Sequence, residues 1–206
     1  MRVIIKFIFK IIAIFLYRVK VINKQNLPKT GGAIICPNHV HALDSAVIIA
    51  MSKRKINVLA KEDLFKRGIA RWFADIFGIY PIKRDSADIS AIRTSLKILK
   101  KEELLMIFPE ATRNGMAKGV KAKHGAIILS IKSGKPIIPV GVQGNFKPFR
   151  KVTINIGEPI DYSEYKDNIG DKELIEELTQ KLMQEIVRLR DSKDLDCRSN
   201  IANKKS

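Results

Sequence analysis

Six short runs rich in aliphatic and β-branched residues recur between positions 20 and 156, and between them lie longer stretches whose apolar residues repeat at helical spacing. A strand of four to seven residues has no cover of its own. The amphipathic stretches supply that cover, so the alternation dictates an α/β class: a single layered domain with a mixed β-sheet flanked by helices. The spacing predicts strands at 20–23, 33–36, 57–60, 104–108, 137–142 and 152–156, each bounded by Gly, Pro, Asn or charged residues. Helices are predicted at 45–52, 64–77, 88–101, 125–133 and 171–190. Leu64, Phe65, Ile69, Trp72, Phe73, Ile76 and Phe77 stripe the second of these, and Leu174, Leu178, Leu182 and Ile186 stripe the last; both stripes read as core-facing.

With 206 residues, 46% of them hydrophobic, the chain suffices for one domain with its own core and no more. Lys and Arg number 38 against 21 Asp and Glu, a formal net charge of +17. Such a balance calls for an anionic partner: nucleic acid, a phosphorylated metabolite or an acidic membrane surface. Nucleic acid is disfavoured, because no nucleic-acid module is recognisable and few aromatics interleave with the basic residues. Of two cysteines, Cys36 sits in an apolar run and Cys197 in a polar tail, which argues against a disulfide framework or a Cys-based zinc site and for a reducing, cytosol-facing location.

Residues 3–17 are almost wholly apolar yet carry Lys6 and Lys10, with Arg2 before them and Arg18 and Lys20 after. No small-residue cleavage site follows, so this is not a signal peptide. As a helix the segment is about 22 Å long, short of the ~30 Å hydrocarbon core of a bilayer. Arg2, Lys6 and Lys10 recur every four residues as one basic stripe, the pattern of an amphipathic helix lying in the membrane interface rather than of a buried core helix. The chain therefore divides into a membrane-interface helix at 1–19, a domain at 20–190 and a polar tail at 191–206 that is expected to be disordered.

Pro37 ends the 33–36 strand and the next periodic stretch starts near Ala42, so His39 falls on a strand-to-helix turn at the carboxyl end of the sheet, where α/β domains place ligands. Five residues of helix would turn Asp44 about 140° away from His39. The two meet only if His39 precedes the helix and Asp44 stands in its first turn. There the carboxylate can take one imidazole N–H and leave the other ring nitrogen as a base; the competing reading is an N-terminal capping Asp beside an unrelated His. His39 and His41 would share a face if the strand continued and, with Asp44 and His124, raise a zinc site as a further alternative, but Pro37 argues against a continued strand and the spacing matches no metal motif. On the turn after the 104–108 strand, Pro109 fixes the exit, so Glu110, Thr112 and Arg113 are stiffly presented; Arg113 can grip a phosphate and Glu110 can accept from a polyol. Gly78 to Arg84 ends another apolar run in cations suited to phosphate. Lys135 to Val140, with its two prolines, suits a wall.

Together the four blocks resemble the glycerolipid acyltransferases of the lysophosphatidic acid acyltransferase type. Asn38-His39 with Asp44 looks like the family's N-H-x-x-x-x-D block, Gly78 to Arg84 like its second block ending in Arg, Phe108 to Arg113 like F-P-E-G-T-R, and Ile137 to Val140 like its Pro-containing fourth block. The likeness extends over Lys61-Glu62-Asp63-Leu64, Lys123-His124-Gly125-Ala126 and Ile156 to Ile160, covering roughly residues 20–190. Ala111 stands where the family usually has Gly, and His41 where Ser is frequent. The resemblance implies transfer of an acyl group from acyl-CoA or acyl carrier protein, as co-substrate and with no resident cofactor or metal, to the sn-2 hydroxyl of 1-acylglycerol 3-phosphate. It implies His39 as base oriented by Asp44, Arg84, Arg113 and Lys123 at the acceptor phosphate, and Glu110 and Thr112 at its glycerol end. Glycerol 3-phosphate or another lysophospholipid stays open as acceptor, and a non-catalytic peripheral lipid-binding protein stays open as another class. Lipid substrates give the interface helix its reason: peripheral or monotopic attachment to the cytoplasmic face of the cell membrane, drawn to anionic lipids.

Overall fold

The computed structural model describes residues 8, 11, 12, 14–41, 43–61, 78–82, 87–110, 112–115, 118–144 and 146–192. The predicted helix at 64–77, Arg84, Ala111 and the tail after Ser192 lie outside the described residues. The strands are β1 (Val19–Ile22), β2 (Ala33–Pro37), β3 (Ile56–Lys61), β4 (Ile79–Ile82), β5 (Leu104–Met106), β6 (Ile137–Gln143) and β7 (Val152–Ile156). They form one sheet in the order β1-β7-β6-β2-β5-β3-β4. Every pair is parallel except β6 with β7, so the sheet is mixed and flanked by helices, the fold class expected above.

The central strands are continuous apolar runs because both their faces are covered. All five residues of β2 and all three of β5 are buried. One face carries α1 (Asp44–Met51) over a core built on Ala33, Ile35, Val47, Ile49, Met106, Ile138 and Val140. The other carries α2 (Ala87–Lys100), α3 (Gly125–Ser133) and α4 (Lys172–Asp191) over Ile34, Cys36, Leu99, Leu105, Ile127, Leu182 and Ile186. The Asp171 carboxylate caps α4 by accepting from the N–H groups of Glu173 and Leu174, both at 3.0 Å.

Sequence periodicity did not predict β4. Its Pro81 cannot donate to a ladder, which argues against a central strand; β4 pairs only with β3, at the sheet edge, where proline is tolerated.

The reversed β7 decides what meets at the carboxyl edge of β2. β6 runs with β2 and delivers the chain to that edge at Gln143; β7 starts back from it, and β1, parallel to β7 with Val19 opposite Val152, starts there too. The helical residues 8, 11, 12 and 14–17 therefore enter the sheet at the edge where β2 ends. Ile8, Ile11, Ile12, Ile14 and Phe15 are exposed among them. Among the described residues no helix is long and apolar enough to cross a membrane.

Candidate active site

The turn between β2 and α1 is built around one carboxylate. Asp44 is the first residue of α1 and is 0% exposed. Its Oδ2 accepts from the N–H groups of Val40 and His41, each at 2.8 Å, and lies 2.9 Å from His39 Nδ1. His39 thus precedes the helix and Asp44 opens it, which is the one arrangement the five-residue spacing allows. Asp44 both folds the turn and orients the ring; its bonds all go to the turn before α1, whose own N-terminus has no side-chain cap, so the orienting reading holds and the capping one does not. A carboxylate oxygen accepts, so Nδ1 carries the hydrogen and Nε2 is left with its lone pair.

The ring is held from its face as well. His39 stacks on Phe108, with centroids 4.2 Å apart and planes 30° from parallel, while its side chain keeps 19% exposure. Its backbone is fixed by the turn after β5. The Glu110 carboxylate accepts the His39 N–H through Oε1 at 2.9 Å, and the His39 carbonyl accepts from Asn114 N–H at 2.7 Å. Glu110 is only 2% exposed. A Cβ on Gly115 would stand 3.0 Å from both the Cβ and the carbonyl oxygen of Glu110, so this position needs glycine for close approach.

Asn38, also buried, ties the same turn to the sheet. Its amide donates to the Val142 carbonyl at 2.9 Å and accepts from Val142 N–H at 2.6 Å, so a side chain continues the β2–β6 pairing past Pro37. His41 stacks on Phe146 at 4.9 Å and its Nδ1 accepts from Leu43 N–H at 3.2 Å. Cys36, three residues before His39, is fully buried, and burial pushes its thiol far above the ordinary range. No thiolate is available from it to act as a nucleophile.

The match of the acyltransferase family covers residues 18–143, which spans β1 to β6 and every group just described save Phe146. The chain belongs to the acyltransferase family. A 1-acyl-sn-glycerol-3-phosphate acyltransferase of Bacillus subtilis is 30% identical over 183 residues, 85% of this chain and 90% of the relative. One of Borreliella burgdorferi is 29% identical over 133 residues, 63% of this chain and 53% of that one. In fold, the crystal structure of the 1-acyl-sn-glycerophosphate acyltransferase PlsC of Thermotoga maritima is similar with a TM-score of 0.68 at 20% identity, over 93% of this chain and 82% of that one.

In this acyltransferase the structure brings His39, Asp44 and Glu110 into one bonded unit. Thr112 and Arg113 are exposed on the turn between the two residues that hold the His39 backbone. Lys123 is exposed beside them, its N–H bonded to the Pro109 carbonyl at 2.8 Å. Arg84 is outside the described residues. His124 points elsewhere, toward α4, with Nδ1 at 3.0 Å from Thr179 Oγ1 and Nε2 at 3.4 Å from Glu176. Among the described residues no group of three or more His, Cys, Asp or Glu could hold a metal ion.

Three partners escaped sequence reasoning. Phe108 was visible as a strand end and as the start of the Phe108 to Arg113 block, but not as the ring under His39, and Phe146 carried no signal at all. The third is Arg190, at the end of α4: its hydrogen bonds to Asp191, at 2.7 and 2.8 Å, hold the guanidinium above its usual value, and the charge of Glu110 adds a smaller pull. A cation from the last helix thus lies near the carboxylate that anchors the His39 turn.

Proposed function

We propose that this acyltransferase moves a fatty acyl group from a thioester of coenzyme A or acyl carrier protein to the sn-2 hydroxyl of 1-acyl-sn-glycerol 3-phosphate, forming phosphatidic acid for phospholipid synthesis. The contact that carries the reading is His39 Nδ1 to Asp44 Oδ2 at 2.9 Å, on a turn whose backbone is locked by Glu110 and Asn114. Nε2 takes the hydroxyl proton as the oxygen attacks the thioester carbonyl; the C–S bond breaks and the departing thiolate receives that proton. The Asp44 carboxylate balances the imidazolium formed in between. Cys36, the cysteine nearest His39 in sequence, is a buried thiol and offers no thiolate, which supports direct transfer with no acyl-enzyme.

Arg113, Lys123 and Arg84 hold the acceptor phosphate, and Thr112 positions the glycerol end. Glu110, expected at the glycerol end too, is buried and accepts the His39 N–H, which supports a part for it in holding the base's turn. The helix entering β1 lies in the interface of the cell membrane on its cytoplasmic face, where its exposed Ile and Phe side chains find lipid and the net charge of +17 finds anionic headgroups.

The test incubates purified protein with 1-acylglycerol 3-phosphate, glycerol 3-phosphate and other lysophospholipids, each with both donors, and compares wild type with His39→Ala. Phosphatidic acid formation that drops by about 10² to 10⁴ in the variant is the expected result. Equal turnover in the variant, or a trapped acyl-enzyme, refutes the mechanism.

A further inference from the structure

The loop that follows β6 has a feature the acyl-transfer reading does not use. Arg150 N–H donates to the Lys147 carbonyl at 3.1 Å, closing a turn with Pro148 second and Phe149 third, and Phe149 has φ of 62°. Proline second and positive φ third is the pattern of a type II turn, whose third place ordinarily goes to glycine. Here a phenylalanine occupies it and is 70% exposed. An aromatic ring held in a disfavoured backbone conformation, with its surface in water, gains nothing for the fold at that position.

Its surroundings say what would cover it. Phe149 N–H donates to the Leu16 carbonyl, so the turn is bonded to the helix entering β1. Phe15, one residue away, is 80% exposed, and Ile8, Ile11, Ile12 and Ile14 are exposed on the same helix. Lys147, Arg150, Lys151 and Arg18 are exposed around the two aromatic tips. Apolar tips set in a ring of cations match a bilayer surface with anionic headgroups: the rings enter the acyl boundary and the cations stay at the phosphates.

We infer that the 146–151 turn is a second membrane-inserting element, with Phe149 as its wedge, acting beside the N-terminal helix. The inference deepens the interfacial reading above and rests on it. It also sets the orientation of the site. Phe146, behind the wedge, is packed against Tyr17 at 5.5 Å and against His41 at 4.9 Å, so one buried ring joins the inserting turn, the helix and the His39 turn. Docking on both elements brings the carboxyl edge of β2 to the lipid surface, where an acceptor that resides in the bilayer presents its headgroup.

The experiment uses the full chain and vesicles of phosphatidylcholine with phosphatidylglycerol. Phe149→Trp is made with Trp72→Phe, since the chain has a single tryptophan. Its emission is expected to shift to the blue on these vesicles and to be quenched by lipids brominated along the acyl chain. Phe149→Glu and Phe149→Ala are expected to lower vesicle partition, the former by about tenfold or more, with unchanged thermal melting. Phe15→Glu probes the helix separately. If it abolishes partition while position 149 neither shifts nor loses affinity, the loop inference falls and the helix reading stands. If position 149 inserts while Phe15→Glu leaves partition unchanged, the loop inference stands and the helix reading falls. None of these readouts needs turnover, so a failure of the acyl-transfer reading leaves them interpretable.

Discussion

Asp44→Asn separates the structural from the chemical work of one carboxylate. Asp44 Oδ2 serves three nitrogens, while its buried Oδ1 has no hydrogen-bond partner among the described residues. The amide in the variant has two settings. With its NH₂ turned to the former Oδ2 place it would face three N–H donors, so it must keep its oxygen there and put the NH₂ in the unpartnered place. That strands a buried NH₂ group, at about 1 to 3 kcal/mol. For a chain of this size the melting temperature should drop by about 2 to 12 °C. The ring keeps its hydrogen bond and tautomer, but the imidazolium formed during proton transfer loses its counter-charge. With the charge centres taken as about 4 Å apart and an effective dielectric of about 20, the lost attraction is about 4 kcal/mol, or about a thousandfold in kcat. The acceptor KM should stay within a few-fold of wild type, because Asp44 is buried away from substrate. Steady-state kinetics on both enzymes, beside a thermal melt, make the check. A kcat within threefold of wild type in a folded variant would sink the general-base role of His39.

Arg113→Ala should cost about ten- to a hundredfold in kcat/KM, mainly through acceptor KM, with Arg113→Lys recovering part of it; an equal loss toward an acceptor lacking the phosphate would contradict its assignment. Gly141→Ala, on β6, would drive a methyl into the backbone of Leu189 and Arg190. Displacing the end of α4 should destabilise the fold by about 1 to 3 kcal/mol or more, and an unchanged thermal melt would show that the helix end moves freely.

The central strands were legible because burial on both faces leaves no polar position to obscure the apolar run, as in Ala33–Pro37 and Ile137–Gln143. The edge strand Ile79–Ile82 was not, since Pro81 mimics a loop when the neighbours are unknown. Within the site, His39 and Asp44 could be paired from sequence because the contact is local and helical geometry restricts it to one arrangement. Glu110 was recognisable as a reagent on a stiff turn. Its bond to the His39 N–H was not, because it spans 71 residues and depends on β2 and β5 being neighbours. Phe146 and Arg190 reach the site only through the β6–β7 hairpin and the packing of α4, which no local pattern encodes.

The grip of the 110–114 turn on both polar backbone groups of His39 makes the site a non-local object. Residues 37 to 51 contain the base, its orienting carboxylate and the helix that starts at it, yet the His39 N–H is taken up by Glu110 and its carbonyl accepts from Asn114, both outside that segment. Helix α1 can form early and locally, whereas the His39 turn reaches its final shape only when β5 has been drawn in next to β2, at the entropic cost of closing a loop of some 70 residues. Chemistry therefore arrives last: in a refolding chain, turnover reports completion of the sheet rather than formation of the segment that bears the base.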